Sequence, residues 1–266
     1  MIRDMTIGQY YPAKSVLHRL DPRVKLMGTL IFLVSVFLIH DVPSFIIVTG
    51  ALCLCIALSK VPVSLMLRGM RAIFVIMLMT FFFNLFLTPG EPIFQAGPLK
   101  ATWEGLKLGL YMLMRLSYLI IGASLMTLTT TPNQLTDGLE KGLGFLNRLH
   151  VPVHEVAMMM SIALRFIPIL TEEMEKIMQA QKARGADFES GSLIRRARGL
   201  IPILVPLFIS AIRRANDLAM AMEARCYHGG VGRTRMKPLK YQGRDLAAYI
   251  IMAVYLAALI ILRILK

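Results

Sequence analysis

Acidic residues and cysteines are scarce in this chain. Its 266 residues include only 16 Asp and Glu against 30 Lys and Arg, which gives a formal net charge of +14. The chain has three cysteines, Cys53, Cys55 and Cys226. Their spacing fits neither disulfides nor metal ligands, which argues against a small domain stabilised by disulfide bonds or zinc. Cys53 and Cys55 lie in an apolar run, where cysteine behaves as a small hydrophobic residue.

The motifs of common catalytic chemistry are also missing. No Gly-x-x-x-x-Gly-Lys-Ser/Thr phosphate loop is present, so the chain is not expected to hydrolyse nucleotides itself. His150 and His154 are four residues apart, but Pro152 between them breaks the helical face that a zinc pair needs. No Ser/His/Asp or Cys/His set converges. The sequence therefore predicts a protein that is not an enzyme and that holds no metal or cofactor.

Apolar residues are abundant instead. Hydrophobic residues make up 56% of the chain, and the mean hydropathy is +0.62. A nucleic-acid-binding protein would explain the positive charge but not this hydrophobicity. A polytopic membrane protein explains both, because cytoplasmic loops collect Lys and Arg. The lipid bilayer is therefore an expected partner, and nucleic acid is not.

Five apolar segments predict an all-α polytopic membrane protein with about five transmembrane helices. The segments are 26–40, 45–58, 70–87, 106–128 and 246–262. The first two are short, since about 15 helical residues span roughly 22 Å against a hydrocarbon core of about 30 Å. Residues 41–44 read as a turn between them, so this pair forms either two spans or one re-entrant hairpin.

The distribution of basic residues predicts the orientation. The N-terminal segment, the loop around residues 60–71 and the long segment 131–243 are rich in Lys and Arg, whereas the other two loops are not. This alternation places the N-terminus in the cytoplasm and the C-terminus outside. Three parts follow: a transmembrane part at 1–130, a cytoplasmic coupling-helix region at 131–243, and a last transmembrane helix at 244–266.

Arg115 lies inside the fourth apolar segment, where a charge costs about 2.5–3.5 kcal/mol on insertion scales. Its side chain either lines a transport path or is satisfied by backbone carbonyls or by snorkelling.

Long helices are predicted in the cytoplasmic region. One begins at residues 131–133 and runs to about Asn147, a second covers 153–183, and a third runs from about Leu193 to Tyr227. Gly185, a turn at 190–192 and glycines 229–230 separate and end them. The apolar stretches 156–170 and 200–212 fit buried or interfacial helices better than spans. Pro168, Pro202 and Pro206 predict kinks. The many Met residues suit either adaptable docking surfaces or ordinary membrane helices.

A short motif occurs twice, each time at a predicted helix end. Residues 180–185 read Ala-Gln-Lys-Ala-Arg-Gly and residues 221–226 read Ala-Met-Glu-Ala-Arg-Cys, and an aromatic residue follows each copy. A single arginine in a last helical turn often only complements the helix dipole, for about 0.3–1 kcal/mol. Two similarly placed copies indicate two similar external sites. Arg198 repeats the Ala-Arg-Gly triplet early in a helix and serves as a control.

These features together resemble the transmembrane coupling subunit, or T-component, of energy-coupling factor transporters. Residues 15–26 (Ser-Val-Leu-His-Arg-Leu-Asp-Pro-Arg-Val-Lys-Leu) look like the family's N-terminal signature, and 163–168 (Ala-Leu-Arg-Phe-Ile-Pro) with Glu172 and Glu173 look like its middle. The two Ala-Arg-small motifs look like its ATPase-contact motifs. Cys226 departs from the glycine common in the second motif, which puts the backbone turn there in doubt.

The resemblance implies a coupling subunit in the cell membrane of a prokaryote. Its partners would be two ABC-type ATPases and a small membrane substrate-binding subunit, for uptake of a vitamin or other micronutrient. It implies ATPase-binding residues at the two motifs, namely Ala183, Arg184, Gly185, Ala224, Arg225 and Cys226. It also implies signature residues with a structural or interface role, namely Asp21, Pro22, Arg23, Arg165 and Pro168.

Two other classes compete with this interpretation. A stand-alone secondary transporter would place paired charges or broken helices at the bilayer midplane, and only Arg115 is a candidate. An intramembrane enzyme would need catalytic polar residues within the spans, and none is found there.

Overall fold

The computed structural model describes residues 10–39, 41–71, 73–96, 99–149, 151–186, 188, 193–229 and 238–265, and their side chains except those at 94–96, 99, 100, 146, 147, 193 and 195–198. Within these residues the chain forms nine α-helices and one short hairpin. Five helices are long and apolar enough to cross a membrane by length and composition. The predicted fold class, an all-α polytopic membrane protein, is confirmed.

Two compact units are present, and the first combines Met1–Gly142 with Leu239–Lys266. Its helices are α1 (Pro22–Leu38), α2 (Val42–Ser59), α3 (Val63–Arg71), α4 (Phe74–Leu87), α5 (Trp103–Thr129), α6 (Pro132–Gly142) and α9 (Gly243–Ile264). A 3-10 turn at Leu17–Arg19 precedes α1, and an antiparallel hairpin of β1 (Pro92–Ala96) and β2 (Leu99–Thr102) joins α4 to α5. The second unit, Leu143–Pro238, contains a 3-10 turn at Gly144–Leu149, α7 (Val153–Ala183) and α8 (Leu193–Glu223).

The candidate membrane spans are not all the same segments as the five predicted from the sequence. They are Val42–Ser59, Trp103–Thr129, Val153–Ala183, Gly199–Glu223 and Gly243–Ile264. Helix α7 and most of α8 qualify because their apolar stretches are extended into 31-residue helices. The predicted segment 70–87 consists of α4 preceded by the last residues of α3. Helices α3 and α4 are bent by 65° and together could supply a sixth span. Arg68 and Arg71 lie in the last turn of α3, and burying such charges in lipid would be costly.

Helix α5 lies at the centre of the first unit and contacts α1, α2, α3 and α4. One buried cluster of this unit consists of Val36, Ile39, Phe45, Val48, Leu52 and Tyr118. The backbones of α4 and α5 approach closely at Gly105, where an added Cβ would lie 2.5 Å from the carbonyl oxygen of Asn84. Small residues permit such contact between membrane helices.

Several segments of the chain are in contact at one end of the first unit. Lys25 Nζ donates a hydrogen bond to the Thr129 carbonyl at the end of α5 (2.8 Å). A Cβ added to Gly138 of α6 would lie 2.9 Å from Pro22 Cβ. The α6 helix therefore groups with the first unit, although the sequence put the boundary at residue 130. Helices α1 and α9 both begin at this end.

Helices α7 and α8 of the second unit pack antiparallel. Gln181 Nε2 of α7 donates to the Pro202 carbonyl of α8 (3.4 Å), and Ser210 bonds to Glu173. The bounds of α7 are those that the sequence predicts, 153–183, whereas α8 ends at Glu223 instead of about Tyr227. The predicted helix from residues 131–133 to 147 stops at Gly142 and continues as a 3-10 turn. Glycines 142 and 144 explain this early end.

Candidate functional site

The two Ala-Arg-small motifs adopt the same backbone structure. In the first, the N–H of Gly185 donates to the Lys182 carbonyl (3.0 Å) and that of Ala186 donates to the Gln181 carbonyl (3.0 Å). In the second, Cys226 N–H donates to Glu223 (2.8 Å) and Tyr227 N–H to Met222 (3.0 Å). Both pairs are the hydrogen bonds of a Schellman motif at a helix C-terminus. Arg184 and Arg225 therefore occupy the same position, the residue before the left-handed turn.

The glycine missing from the second motif does not prevent the turn. Gly185 has φ +86° and Cys226 has φ +55°, so both adopt the left-handed conformation. A left-handed residue other than glycine costs roughly 1–2 kcal/mol, because its Cβ approaches the following carbonyl oxygen. The doubt that the sequence raised about this turn is resolved. The second helix end is formed under local strain that the first lacks.

The six predicted ATPase-binding residues are exposed, namely Ala183, Arg184, Gly185, Ala224, Arg225 and Cys226. Among the described residues, neither arginine pairs with a carboxylate. Their role in ATPase binding stays a prediction. The control Arg198 lies in α8, and its side chain is outside what the structure describes.

The antiparallel packing places the two arginines at opposite ends of the α7–α8 pair. The Gln181–Pro202 contact sets Arg184 beside the beginning of α8, whereas Arg225 follows the end of the same helix. About 26 helical residues at roughly 1.5 Å each separate these two points, a distance of about 40 Å. Two alike side chains are therefore presented far apart, at two alike helix ends.

We predict that Cys226→Gly stabilises the end of α8 by about 1 kcal/mol, because glycine adopts the left-handed conformation without strain. Hydrogen–deuterium exchange of the Cys226 and Tyr227 amides in the full-length protein would measure the change, as slower exchange. Gly185→Ala is the matched control and should accelerate exchange at Ala186, since no atom lies within 4 Å of an added Cβ there and only backbone strain changes. Faster exchange in Cys226→Gly would contradict the interpretation.

The predicted signature residues Asp21 and Arg23 bind the beginning of α9. The Asp21 carboxylate caps α1 by accepting the Arg23 N–H (2.9 Å) and pairs with the Arg23 guanidinium through Nε (3.1 Å). Arg23 Nη2 also donates to the Leu239 carbonyl (3.2 Å), and its guanidinium carbon lies 4.2 Å from the centre of the Tyr241 ring. Pro22 starts the helix and packs against Gly138. These signature residues join separate segments of the first unit.

Asp245 is a residue of this cluster that the sequence interpretation missed. It is 2% exposed, and its carboxylate accepts the backbone N–H of Asp21 (2.9 Å) and of Gln242 (2.8 Å). One side chain thus completes the capping box of α9 and satisfies a donor at the start of α1. The Gln-x-x-Asp spacing at 242–245 is the signal that could have revealed the cap, but it does not identify the contact with Asp21.

We predict that Asp245→Ala lowers the stability of the first unit by about 2–3 kcal/mol, because the buried N–H of Asp21 loses its acceptor and the capping bond to the Gln242 N–H is lost. Thermal unfolding of the purified protein in detergent should show a lower Tm. Arg244→Ala, at the exposed neighbouring position, is the control and should leave the Tm unchanged. Equal Tm values for Asp245→Ala and the wild type would refute the assigned role.

His18 ties the segment before α1 together. Its Nε2–H donates to the Tyr11 carbonyl (2.9 Å), its Nδ1 lies 2.7 Å from Ser15 Oγ, and Tyr11 N–H donates to the Leu128 carbonyl (2.9 Å). Burial lowers the pKa of His18, the Tyr11 hydrogen bond opposes this effect, and the Lys25 charge lowers the pKa further. The neutral imidazole is therefore the form that the fold favours.

The signature residues of α7 are arranged differently. Arg165 and Pro168 are exposed on the helix, so they are positioned for an interface, and that role stays a prediction. Of the adjacent acidic pair, Glu172 is exposed, whereas Glu173 bonds to α8 through Ser210 and Arg214. The sequence pattern did not distinguish the two glutamates.

No group of three or more His, Cys, Asp or Glu side chains that could hold a metal ion occurs in the described part of the chain. His150, one of the two histidines considered from the sequence, lies outside the described residues, as do the predicted turn at 190–192 and Gly230.

Comparison with known proteins adds an independent observation. The CbiQ family, described as cobalt transport protein, matches residues 13–238. An energy-coupling factor transporter transmembrane protein EcfT from Thermosediminibacter oceani is 53% identical over 249 residues, covering 94% of each chain. Proteins of the same name from Clostridium kluyveri (51% identical, 99% of this chain and 98% of that protein) and Bacillus subtilis (45%, 99% and 100%) are also similar.

The chain belongs to the family of energy-coupling factor transporter transmembrane proteins. It is the transmembrane component of a multi-subunit transporter, and the resemblance inferred from the sequence is confirmed. A membrane subunit of this kind is consistent with a non-catalytic role.

Arg115 takes a structural position in this member of the transporter family. Its Nη2 donates to the Ile39 carbonyl at the end of α1 (2.5 Å). Of the two alternatives that the sequence left open, this contact supports satisfaction by a backbone carbonyl. A carbonyl at a helix C-terminus carries partial negative charge, which makes it a good acceptor for a guanidinium.

Proposed function

We propose that this transporter component is the coupling subunit of an energy-coupling factor importer. It would bind two ABC-type ATPases and a small substrate-binding membrane protein, and would transmit the ATP-driven movement of the ATPases to that protein. The observation that carries the proposal is the repeated helix end. The same Schellman motif, with an exposed arginine at the same position, occurs at each end of the antiparallel α7–α8 pair.

The chemistry of the two ends fits docking into acidic grooves. The arginine guanidinium offers five N–H donors in a planar fork that can hold a carboxylate through two bonds. The open left-handed turn after each arginine ends the helix sharply, so the side chain stands at the tip and not along a packed face. Two similar tips suit a dimer of two similar ATPases, either identical or homologous.

The coupling movement would use the length of the two helices. When ATP closes the ATPase dimer, force is applied to both docked ends. Each helix continues through its internal prolines over 31 residues, so it can transmit such a force along its length. Exposed apolar side chains along α8, such as Leu204, Val205 and Phe208, would face the substrate-binding protein or lipid. The substrate class implied by the family resemblance is a vitamin or other micronutrient.

The alternative, a stand-alone secondary transporter, depends on Arg115. The bond from Arg115 Nη2 to the Ile39 carbonyl counts against this alternative, because it gives the side chain a structural partner.

Copurification tests the proposed function most directly. The tagged full-length chain, solubilised from native membranes, should carry two ABC-type ATPase subunits and one small membrane protein with it. Uptake should depend on ATP when these components are reconstituted together. A chain that purifies without ATPases and transports substrate alone in proteoliposomes would establish the alternative.

We predict a cytoplasmic N-terminus, a cytoplasmic region 131–243 and an external C-terminus. The Asp21–Asp245 contact, which brings the beginnings of α1 and α9 together, supports an even number of crossings between them. With four crossings by α1, α2, α3–α4 and α5, helices α7 and α8 either both span the membrane or both stay on one side. Single cysteines at Ser190 and near Lys266, in a background lacking the three native cysteines, distinguish these cases. An impermeant thiol reagent on intact cells should label the tail and spare position 190.

Labelling at position 190 as well as the tail would show that α7 and α8 both cross the membrane. Labelling of position 190 with a spared tail would reverse the orientation. Either pattern would overturn the cytoplasmic assignment of the coupling helices.

A further inference from the structure

One carboxylate joins α7 to two successive turns of α8. Glu173 Oε1 accepts the Ser210 hydroxyl (2.5 Å), and Glu173 Oε2 accepts Arg214 Nη2 (3.0 Å). Ser210 and Arg214 are four residues apart and therefore lie on the same face of α8. The side chains are partly withdrawn from solvent, with Glu173 26% and Arg214 41% exposed. Both oxygens of one glutamate are thus used to hold the neighbouring helix.

The apolar contacts of this helix pair are weak determinants of register. Among the described residues of α7 and α8, only Val153, Ala157 and Ile203 are buried apolar residues. Hydrophobic contact is non-directional, so it permits one helix to slide along another. A carboxylate bonded to two fixed donors permits one alignment only. Such polar contacts are known to specify helix register in coiled coils.

A second polar contact agrees with the same alignment. Gln181 lies eight residues after Glu173, and Pro202 lies eight residues before Ser210. The two contacts therefore follow one antiparallel register with no offset over about two helical turns. The Gln181 bond is longer, at 3.4 Å, so the Glu173 contacts are the better defined of the two.

We infer that Glu173, Ser210 and Arg214 form a polar latch that fixes the register of α7 on α8 and thereby the separation of their two arginine-bearing ends. The importance of that separation for transport rests on the proposed function; the latch itself does not. A helix pair free to slide would absorb the displacement imposed at its ends. ATP hydrolysis would then continue without moving the substrate-binding subunit.

The latch is tested on the full-length chain by electron–electron spin-distance measurement. Spin labels at the exposed positions Gln179 of α7 and Met220 of α8, in a background lacking native cysteines, report the register. The wild-type contacts should give one narrow distance distribution. Glu173→Arg and Arg214→Glu, each alone, place like charges opposite each other and should at least double its width. An unchanged width in both variants would overturn the latch.

Charge exchange separates loss of the latch from general misfolding. The double variant Glu173→Arg/Arg214→Glu restores an ion pair and should return the distribution toward its wild-type width. A double variant as broad as the single variants would overturn the latch. Glu172→Arg and Arg213→Glu are matched controls at exposed neighbouring positions, and both should leave the distribution narrow. If either control variant broadened the distance distribution as much as Glu173→Arg does, the latch would also be overturned.

A transport measurement then addresses the coupling role. In the complex reconstituted with ATPases and substrate subunit, Arg214→Glu should reduce uptake at least fivefold while ATP hydrolysis changes less than twofold, and the charge exchange should restore uptake. Equal loss of both activities, or no loss of uptake, would overturn the coupling role of the latch. Absence of any ATPase from the wild-type chain would instead refute the proposed function, and the spin-label result would still decide the latch.

Discussion

The variant Arg184→Ala/Arg225→Ala should lose both ATPases on copurification. Each arginine is exposed, forms no ion pair with a described residue and lies at the end of a helix. Docking of an ATPase would therefore bury a side chain that is exposed in the free protein. Truncating a buried interface hot spot costs roughly 2 kcal/mol or more, which is about 30-fold in affinity. Loss at both ends removes the bivalent attachment as well. The measurement is the amount of ATPase recovered per tagged chain.

Arg198→Ala is the control for this experiment. It removes an arginine from the same Ala-Arg-Gly triplet, but Arg198 lies within α8 and not at a helix end. Recovery of both ATPases should be close to that of the wild type. Full recovery in the double variant, or an equal loss in Arg198→Ala, would show that the helix-end arginines are not the docking residues.

Arg184→Glu should abolish ATP-driven uptake in the reconstituted complex. A negative charge facing an acidic groove replaces attraction by repulsion, and like charges across an interface cost several kcal/mol. The substrate-binding subunit should still bind its substrate, because the proposed contact of Arg184 is with an ATPase. Uptake of labelled substrate and substrate binding are measured on the same preparation.

Arg184→Lys serves as the graded control. It keeps the positive charge but not the planar fork, so uptake should fall to an intermediate level. Arg213→Glu makes the same charge change at another exposed arginine and should leave uptake near wild type. If Arg184→Glu itself supports near wild-type uptake with assembly intact, Arg184 acts only on the helix dipole.

The elements predicted well are those with local signals. Helix α7 has the predicted bounds, because Pro152 restarts the chain before it and Gly185 ends it with a left-handed residue. The repeated Ala-Arg-small motif marks two helix ends, since the hydrogen bonds of a Schellman motif join residues at most five apart. The family resemblance also came from short motifs. Each of these features depends on neighbours in the chain.

The sequence alone thus determined the membrane-protein class, the long helices and the two arginine-bearing ends. Only the tertiary structure decided which partners lie far apart in sequence: the contact between Asp21 and Asp245, and the choice of Glu173 over Glu172 as the residue that contacts α8. It also decided that Cys226 adopts a glycine-like turn. Periodicity and capping rules describe one segment at a time, whereas these features arise when separate segments pack and satisfy each other's buried polar groups.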